Sequence, residues 1–259
     1  MPKAKSYKHE TQWPVIRTLA EQNSTEKLLE SLQRGEDVYE RLALHRFALR
    51  FLSFRPWNGR NLDVVVAVCD AGIKTAAQAA EEIPDDSSWF REEASQMAFT
   101  TSQNLCACWD DGFGRSPEHA KKGLELAKLA IELRLSLKKN GAAVGTAWNS
   151  KGVHELTLNK IDQALQSFAE AKRLFTEHAT KRGTPTSITP AAPHDLLLTY
   201  GFAAMGRIRS GAVSADADKE LKAVIQTFEG MKSGDASTRE TAEISLEQLN
   251  SLHRNLTNA

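Results

Sequence analysis

An all-α chain of about ten to eleven helices is the fold class that this 259-residue sequence predicts, and three observations carry the prediction. Apolar residues recur at helical spacing through most segments. Ser, Thr, Asn, Pro and Gly punctuate those segments where helices start and stop. No segment sustains the period-two alternation of a half-buried strand. Hydrophobic residues make up 41% of the chain, which supports a substantial core and excludes wholesale disorder.

Residues 1–10 form a polar, basic stretch, expected to be a flexible tail ahead of a single helical domain over 11–259. Thr11 to Gln22 reads as a first helix with Pro14 near its start, where a missing N–H is harmless. Ser24 or Thr25 opens a second, which stops at Gly35. Glu36 to Phe54 carries Val38, Leu42, Leu44, Phe47, Leu49, Phe51 and Leu52 on a broad apolar face, and the turn-forming run 55–59 ends it. Asn61 to Glu82 and Trp89 to Asp111 are the next two helices, separated by Pro84-Asp85-Asp86-Ser87-Ser88. Gly112 and Gly114 break the chain before Ser116-Pro117-Glu118 restarts it with a cap, a first-turn proline and an acid at the positive helix end. That helix is expected to reach Asn140, with Gly141 as its stop.

Ala142 to Leu158 and Lys160 to His178 follow as a tight helical hairpin, with Asn159 available to cap its second arm. The longest loop, 179–193, contains Gly183, Pro185, Pro190 and Pro193. Three helices complete the chain: His194 to Ser210, Ser214 to Lys232, and Ser237 to Leu256, the last opened by the capping-box pattern Ser237-Thr238-Arg239-Glu240. One segment has a competing reading. The valine-rich run 62–68 suits a strand, and Cys69-Asp70-Ala71-Gly72 after it resembles the turn of a nucleotide-binding unit. Gly72 stands alone, without the glycine spacing or Gly-Lys adjacency of a phosphate loop, so helix is the expectation and strand the alternative.

Trp148-Asn149-Ser150-Lys151-Gly152, followed by Ala164, Phe168 and Ala171, resembles the tetratricopeptide repeat (TPR) family. An aromatic residue lies four before a glycine on the first helix, and the second helix carries Ala, an aromatic and Ala at the family's spacing. Small residues let paired helices approach while Trp148 and Phe168 fill the remaining volume. The likeness is clearest over 143–177. Ala120, Leu124 and Ala127 repeat the second-helix spacing upstream, and Ala217, Leu221 and Val224 repeat it downstream. Gly112-Phe113-Gly114 with Glu118, Lys121, Lys128 and Ala130 is similar to SEL-type repeats. The departures are Lys151 in place of a usual Leu, Glu155 where an aromatic is common, and a missing final Pro. The resemblance implies a right-handed solenoid of antiparallel helix pairs and a non-catalytic adaptor that binds a peptide, helix or partner subunit in its concave groove.

Lys plus Arg and Asp plus Glu are 33 each, a neutral balance that disfavours a general nucleic-acid or anionic-membrane binder. No apolar run has the length of a membrane span. Cys69, Cys106 and Cys108, in a chain whose start lacks an export-type apolar run, suggest a reduced, cytoplasmic setting. The last two are expected on different faces of a helix, about 200° apart, as structural thiols. The seven histidines are scattered and no nucleophile elbow occurs, so neither enzyme chemistry nor a metal or other cofactor is expected.

Two sets of residues are candidates for ligand contact. Arg46 and Arg50 lie one helical turn apart, with Arg41 and His45 near the same side, a row suited to a carboxylate or phosphate. The competing reading of that row is a solvated face paired with Glu36, Asp37 or Glu40. By the phase of the repeat, Asn149, Val153 and Leu156 face the groove, Asn149 to bond a peptide backbone and the other two for apolar contact. Val153 stands where the family's carboxylate clamp needs Asn, so chaperone-tail binding is not implied. A partner protein or peptide is therefore the leading expectation, and a homo-oligomer is compatible with it. An enzyme or small-anion sensor built around His45, Arg46 and Arg50 is the alternative.

Overall fold

Eleven α-helices make up most of the described residues of the computed structural model, and no strand occurs among them. The described residues are 9–53, 57, 59–211 and 214–257. The expected tail lies outside them up to residue 8, and most of the turn at 55–59 does too. The helices are α1 (Trp13–Glu21), α2 (Thr25–Leu32), α3 (Val38–Leu52), α4 (Leu62–Glu82), α5 (Ser87–Leu105), α6 (Pro117–Ser136), α7 (Gly141–Thr157), α8 (Ile161–Lys181), α9 (His194–Arg209), α10 (Ser214–Met231) and α11 (Ala236–Thr257). None is long and apolar enough to cross a membrane.

The helix starts follow local chemistry. Asp37 caps α3 by accepting from Glu40 N–H at 2.8 Å. Asn61 caps α4 by accepting from the N–H groups of Asp63 and Val64. That cap settles the valine-rich run as the first two turns of a helix that continues through Gly72. A methyl group at Gly72 would sit 2.6 Å from Met97 Sδ and 3.1 Å from His45 Cβ, so close packing explains the glycine.

Five boundaries differ from expectation. Helix α6 ends at Ser136, short of Asn140, and Lys138 follows with a positive φ of 52°. Gly141 begins α7 instead of stopping α6, because Asn140 accepts from Ala143 N–H and caps the new helix. Asn159 does not cap α8. It closes α7 in a left-handed conformation (φ 58°), with Lys160 N–H bonded to Glu155 C=O and Asn159 N–H to Leu156 C=O. Asn159→Ala should therefore cost about 1 kcal/mol in chemical unfolding, whereas Asn159→Gly should be close to neutral. Asp235, not Ser237, caps α11 by accepting from Thr238 N–H at 2.8 Å. Finally, α5 stops at Leu105, six residues before Asp111.

The chain divides into two units: Met1–Asn104 with Glu132–Leu137, and Leu105–Ile131 with Lys138–Ala259. In the first, α3 packs on α4 and α2 packs on both. Tyr39 lies against Trp89 and Phe90, and its hydroxyl donates to Asp86 at 2.5 Å. Phe47, Phe51 and Trp13 stack in sequence, which makes the aromatics of α3 packing groups. In the second unit α7 packs on α8, α8 on α9, and α9 on α10 and α11. Phe168, Phe228, Leu156, Leu197, Leu249 and Leu252 are fully buried at its centre.

Candidate functional site

The arginine row on α3 binds a carboxylate, and that carboxylate is the protein's own. Arg46 Nη1 donates to both oxygens of Glu93, at 2.9 and 3.1 Å, with Glu93 buried and Arg46 half-exposed. Arg50, one turn on, is exposed, its guanidinium 6.0 Å from the Phe51 ring centre. His45 is fully buried: its Nδ1 is 2.8 Å from Arg41 C=O and its ring packs beside Gly72. Burial is the first reason that its pKa is lowered. Of the three groups imagined around an anion, only Arg50 thus faces solvent without a carboxylate already on it in the geometry above.

Burial pushes the Glu93 carboxyl up from its ordinary value, while Arg46's charge and hydrogen bond oppose the rise. A carboxyl raised in the folded state contributes stability that is fully present below its unfolded value, near 4.5, and lost as pH rises through the folded value. Arg46→Met removes the opposing charge and leaves Glu93 buried. The variant should lose about 1–3 kcal/mol at neutral pH, towards the lower end because water reaches the Arg46 side. The loss should shrink as pH falls towards 4.5, which urea titrations of variant and wild type at both pH values would read.

Asn149, Val153 and Leu156 are placed in helix packing, not on an open face. Asn149 Nδ2 donates to Thr199 Oγ1 at 2.8 Å and to Asp195 C=O at 3.5 Å, tying α7 to α9. Val153 and Leu156 are 2% and 0% exposed. The sequence phase that turned them towards a groove omitted α9, whose packing against α7 covers that side.

Lys151 and Glu155, two of the three departures from the repeat pattern, are partners. Lys151 Nζ donates to Glu155 Oε1 and Ser167 Oγ, each at 2.7 Å, and Ser167 Oγ donates to Glu155 Oε2 at 2.5 Å. The Lys151 ammonium also lies 4.8 Å from the Trp148 ring centre. A small polar network thus replaces part of an apolar α7–α8 contact.

A second cluster combines nucleophilic and basic groups. Cys106 and Cys108 are not on a helix: they lie in the connection that follows α5, where Ala107 C=O is taken by Asn255 Nδ2 of α11 at 2.6 Å. That tertiary bond meets the backbone's need for a partner outside a continued helix. Both thiols are buried, two residues apart in that connection. Cys106 Sγ is 3.4 Å from His154 Nε2 and 3.6 Å from Ser150 Oγ, residues one turn apart on α7. A methyl group at Gly123 of α6 would fall 2.1 Å from His154 Cε1, so the imidazole occupies the space that this glycine leaves. Burial pushes the Cys106 thiol up, but the neighbouring Cys108 thiol, the His154 charge and hydrogen bond, and the Ser150 hydroxyl together hold it well below the usual thiol range. Cys108 moves the other way, raised by the neighbouring Cys106 thiol and by burial.

Sequence reasoning missed this cluster because its parts are about 45 residues apart; the one local signal was Ser150 and His154 at helical spacing. Among the described residues, no group of three or more His, Cys, Asp or Glu side chains is arranged to hold a metal ion. Compared with known proteins, the chain matches no family model and no curated protein sequence.

Proposed function

We propose that the chain is a non-catalytic protein–protein interaction module, an adaptor of the cytoplasm whose second unit is built from TPR-like antiparallel helix pairs. The observation that carries this reading is the interlock of α7 and α8. A methyl group at Gly152 would lie 2.4 Å from Phe168, one at Gly145 would lie 3.0 Å from Phe175, and one at Gly141 would lie 3.3 Å from Leu174 C=O. From Gly152 to Gly145 the number on α7 falls by seven while that on α8 rises by seven, and Gly141 meets the same far turn of α8, a pattern that supports antiparallel pairing. Ala164 and Ala171 flank Phe168 and all three are fully buried, which supports the reading. Each such pair needs neighbours to cover its apolar sides, and a stack of pairs offers long helix faces to a partner.

Asn149, Lys151, Glu155 and Thr199 bond to one another or to neighbouring helices, which assigns them to the scaffold. A partner segment would then be held by exposed faces. Arg50 is the polar anchor of this reading, because Arg46 beside it already demonstrates how that face takes a carboxylate. The matching occupant is a protein or peptide with an acidic side chain beside an apolar one. Photo-crosslinking in cell extract through a photoreactive residue at position 43, two helical turns before Arg50 on the same face, tests the reading with the anchor in place: recovery of one specific polypeptide, lost when free acidic peptide is added in excess, is expected. Crosslinks scattered over abundant proteins and indifferent to the competitor would reject it.

A further inference from the structure

We propose that Cys106 and Cys108 form a reversible, peroxide-responsive thiol pair, in which Cys106 attacks hydrogen peroxide and Cys108 closes the disulfide. The geometry supplies each part. Cys106 Sγ has an imidazole nitrogen at 3.4 Å and a hydroxyl at 3.6 Å, and the second thiol lies two residues on in the same connection, also buried. Gly123 fixes the imidazole where it can stabilise a thiolate. Cys69 is a built-in contrast: it too is buried, but its thiol is turned to Met97 C=O at 3.5 Å.

The chemistry balances with peroxide as the sole oxidant. The Cys106 thiolate displaces hydroxide from one peroxide oxygen, giving Cys106 sulfenic acid; the hydroxide takes up a proton and leaves as water. Cys108 sulfur then attacks the Cys106 sulfur, an S–S bond forms, and the sulfenic oxygen leaves as a second water with the Cys108 proton. The two thiols are oxidised by two electrons and one peroxide is reduced to two waters. A dithiol reductant reverses the step by thiol–disulfide exchange. At 1% exposure, Cys106 is reached by local opening of the connection that runs from it to Ser116, which requires no helix to unfold.

Closing the bond also has a mechanical consequence. Ala107 lies between the two cysteines, and its carbonyl holds Asn255; Asp110, just beyond, holds Arg254 at 2.6 Å. Drawing the two sulfurs together turns the Ala107 peptide and releases the end of α11. Oxidation is thereby coupled to the C-terminal helix.

The test treats the full chain with hydrogen peroxide, blocks remaining thiols with an alkylating agent, and maps the products by peptide mass spectrometry. The expected result is an intramolecular Cys106–Cys108 disulfide forming at least roughly tenfold faster than any oxidation of Cys69. Hydrogen exchange over 252–257 should rise in the oxidised protein and return on adding dithiothreitol. In Cys108→Ser the reaction should stop at a sulfenic acid on Cys106 that dimedone captures. Equal oxidation of Cys69 and Cys106, over-oxidised Cys106 beside unreacted Cys108 in the wild type, or disulfides only between chains would overturn the proposal. Unchanged exchange in α11 would overturn the coupling.

Discussion

Phe168→Ala is expected to destabilise the second unit by about 3–5 kcal/mol, the range for removing a large, fully buried aromatic side chain. Phe168 is 0% exposed, its ring centre is 6.0 Å from that of Phe202, and Gly152 of the facing helix approaches its edge. Ala cannot fill that volume, and both α7 and α9 would lose contact at once. The same geometry gives a sharper test than the single substitution. Gly152→Ala gains helix propensity but puts a methyl 2.4 Å from the ring, so a net cost of about 1–3 kcal/mol is expected. Combined with Phe168→Leu, which withdraws the ring edge, Gly152→Ala should cost clearly less than it does alone. Equilibrium unfolding of the four proteins measures the coupling, and strict additivity would mean that the two positions do not interlock.

The second large effect is expected at the Lys151, Glu155 and Ser167 network. The Glu155 side chain is 3% exposed and that of Lys151 is 15% exposed, so the pair has given up most of its hydration. Lys151→Met leaves a buried carboxylate with only the Ser167 hydroxyl among these three groups and should cost about 3–5 kcal/mol. Lys151→Met with Glu155→Leu and Ser167→Ala removes the whole network and should recover to within about 1 kcal/mol of wild type, because apolar groups of similar volume need no desolvation. Thermal or urea unfolding separates the cases. If the single and triple variants are equally destabilised, volume and not the buried charge is what the site requires.

How far the fold could be read from the sequence depended on the range of the interaction. Helix starts were legible where a side chain caps its own helix, as at Asn61 and Ser116. They were misread where two local signals competed: Gly141 looked like a stop, but Asn140 beside it was a cap, and Asn159 served α7 by its backbone conformation instead of α8 by its side chain. The early end of α5 was not legible at all, since the carbonyl of Ala107 is satisfied by Asn255, 148 residues away in sequence. The arginine row was visible as a pattern, yet its buried partner, Glu93, lies on α5, whereas the acids near in sequence, Glu36, Asp37 and Glu40, lie at the start of α3. Lys151 and Glu155 read as two departures from a repeat, although their four-residue spacing already made them candidates for each other.

Net neutrality gained meaning in the same way. Equal counts of basic and acidic residues are compatible with scattered surface pairs, but in this chain some pairs are partly or wholly buried: Arg46 with Glu93, Arg115 with Asp111 and Lys151 with Glu155. Such pairs position helices and connections, and the charges left for a surface contact are those outside them, Arg50 among these.

The most direct test of the interaction-module reading is calorimetric titration of the crosslinked partner segment, once identified, into the full chain and into Arg50→Glu. Saturable 1:1 binding by the wild type and at least roughly tenfold weaker binding by Arg50→Glu are expected, with unchanged unfolding of the free protein because Arg50 is exposed. Binding of equal strength by both proteins, or consumption of the segment with release of a product, would contradict that reading.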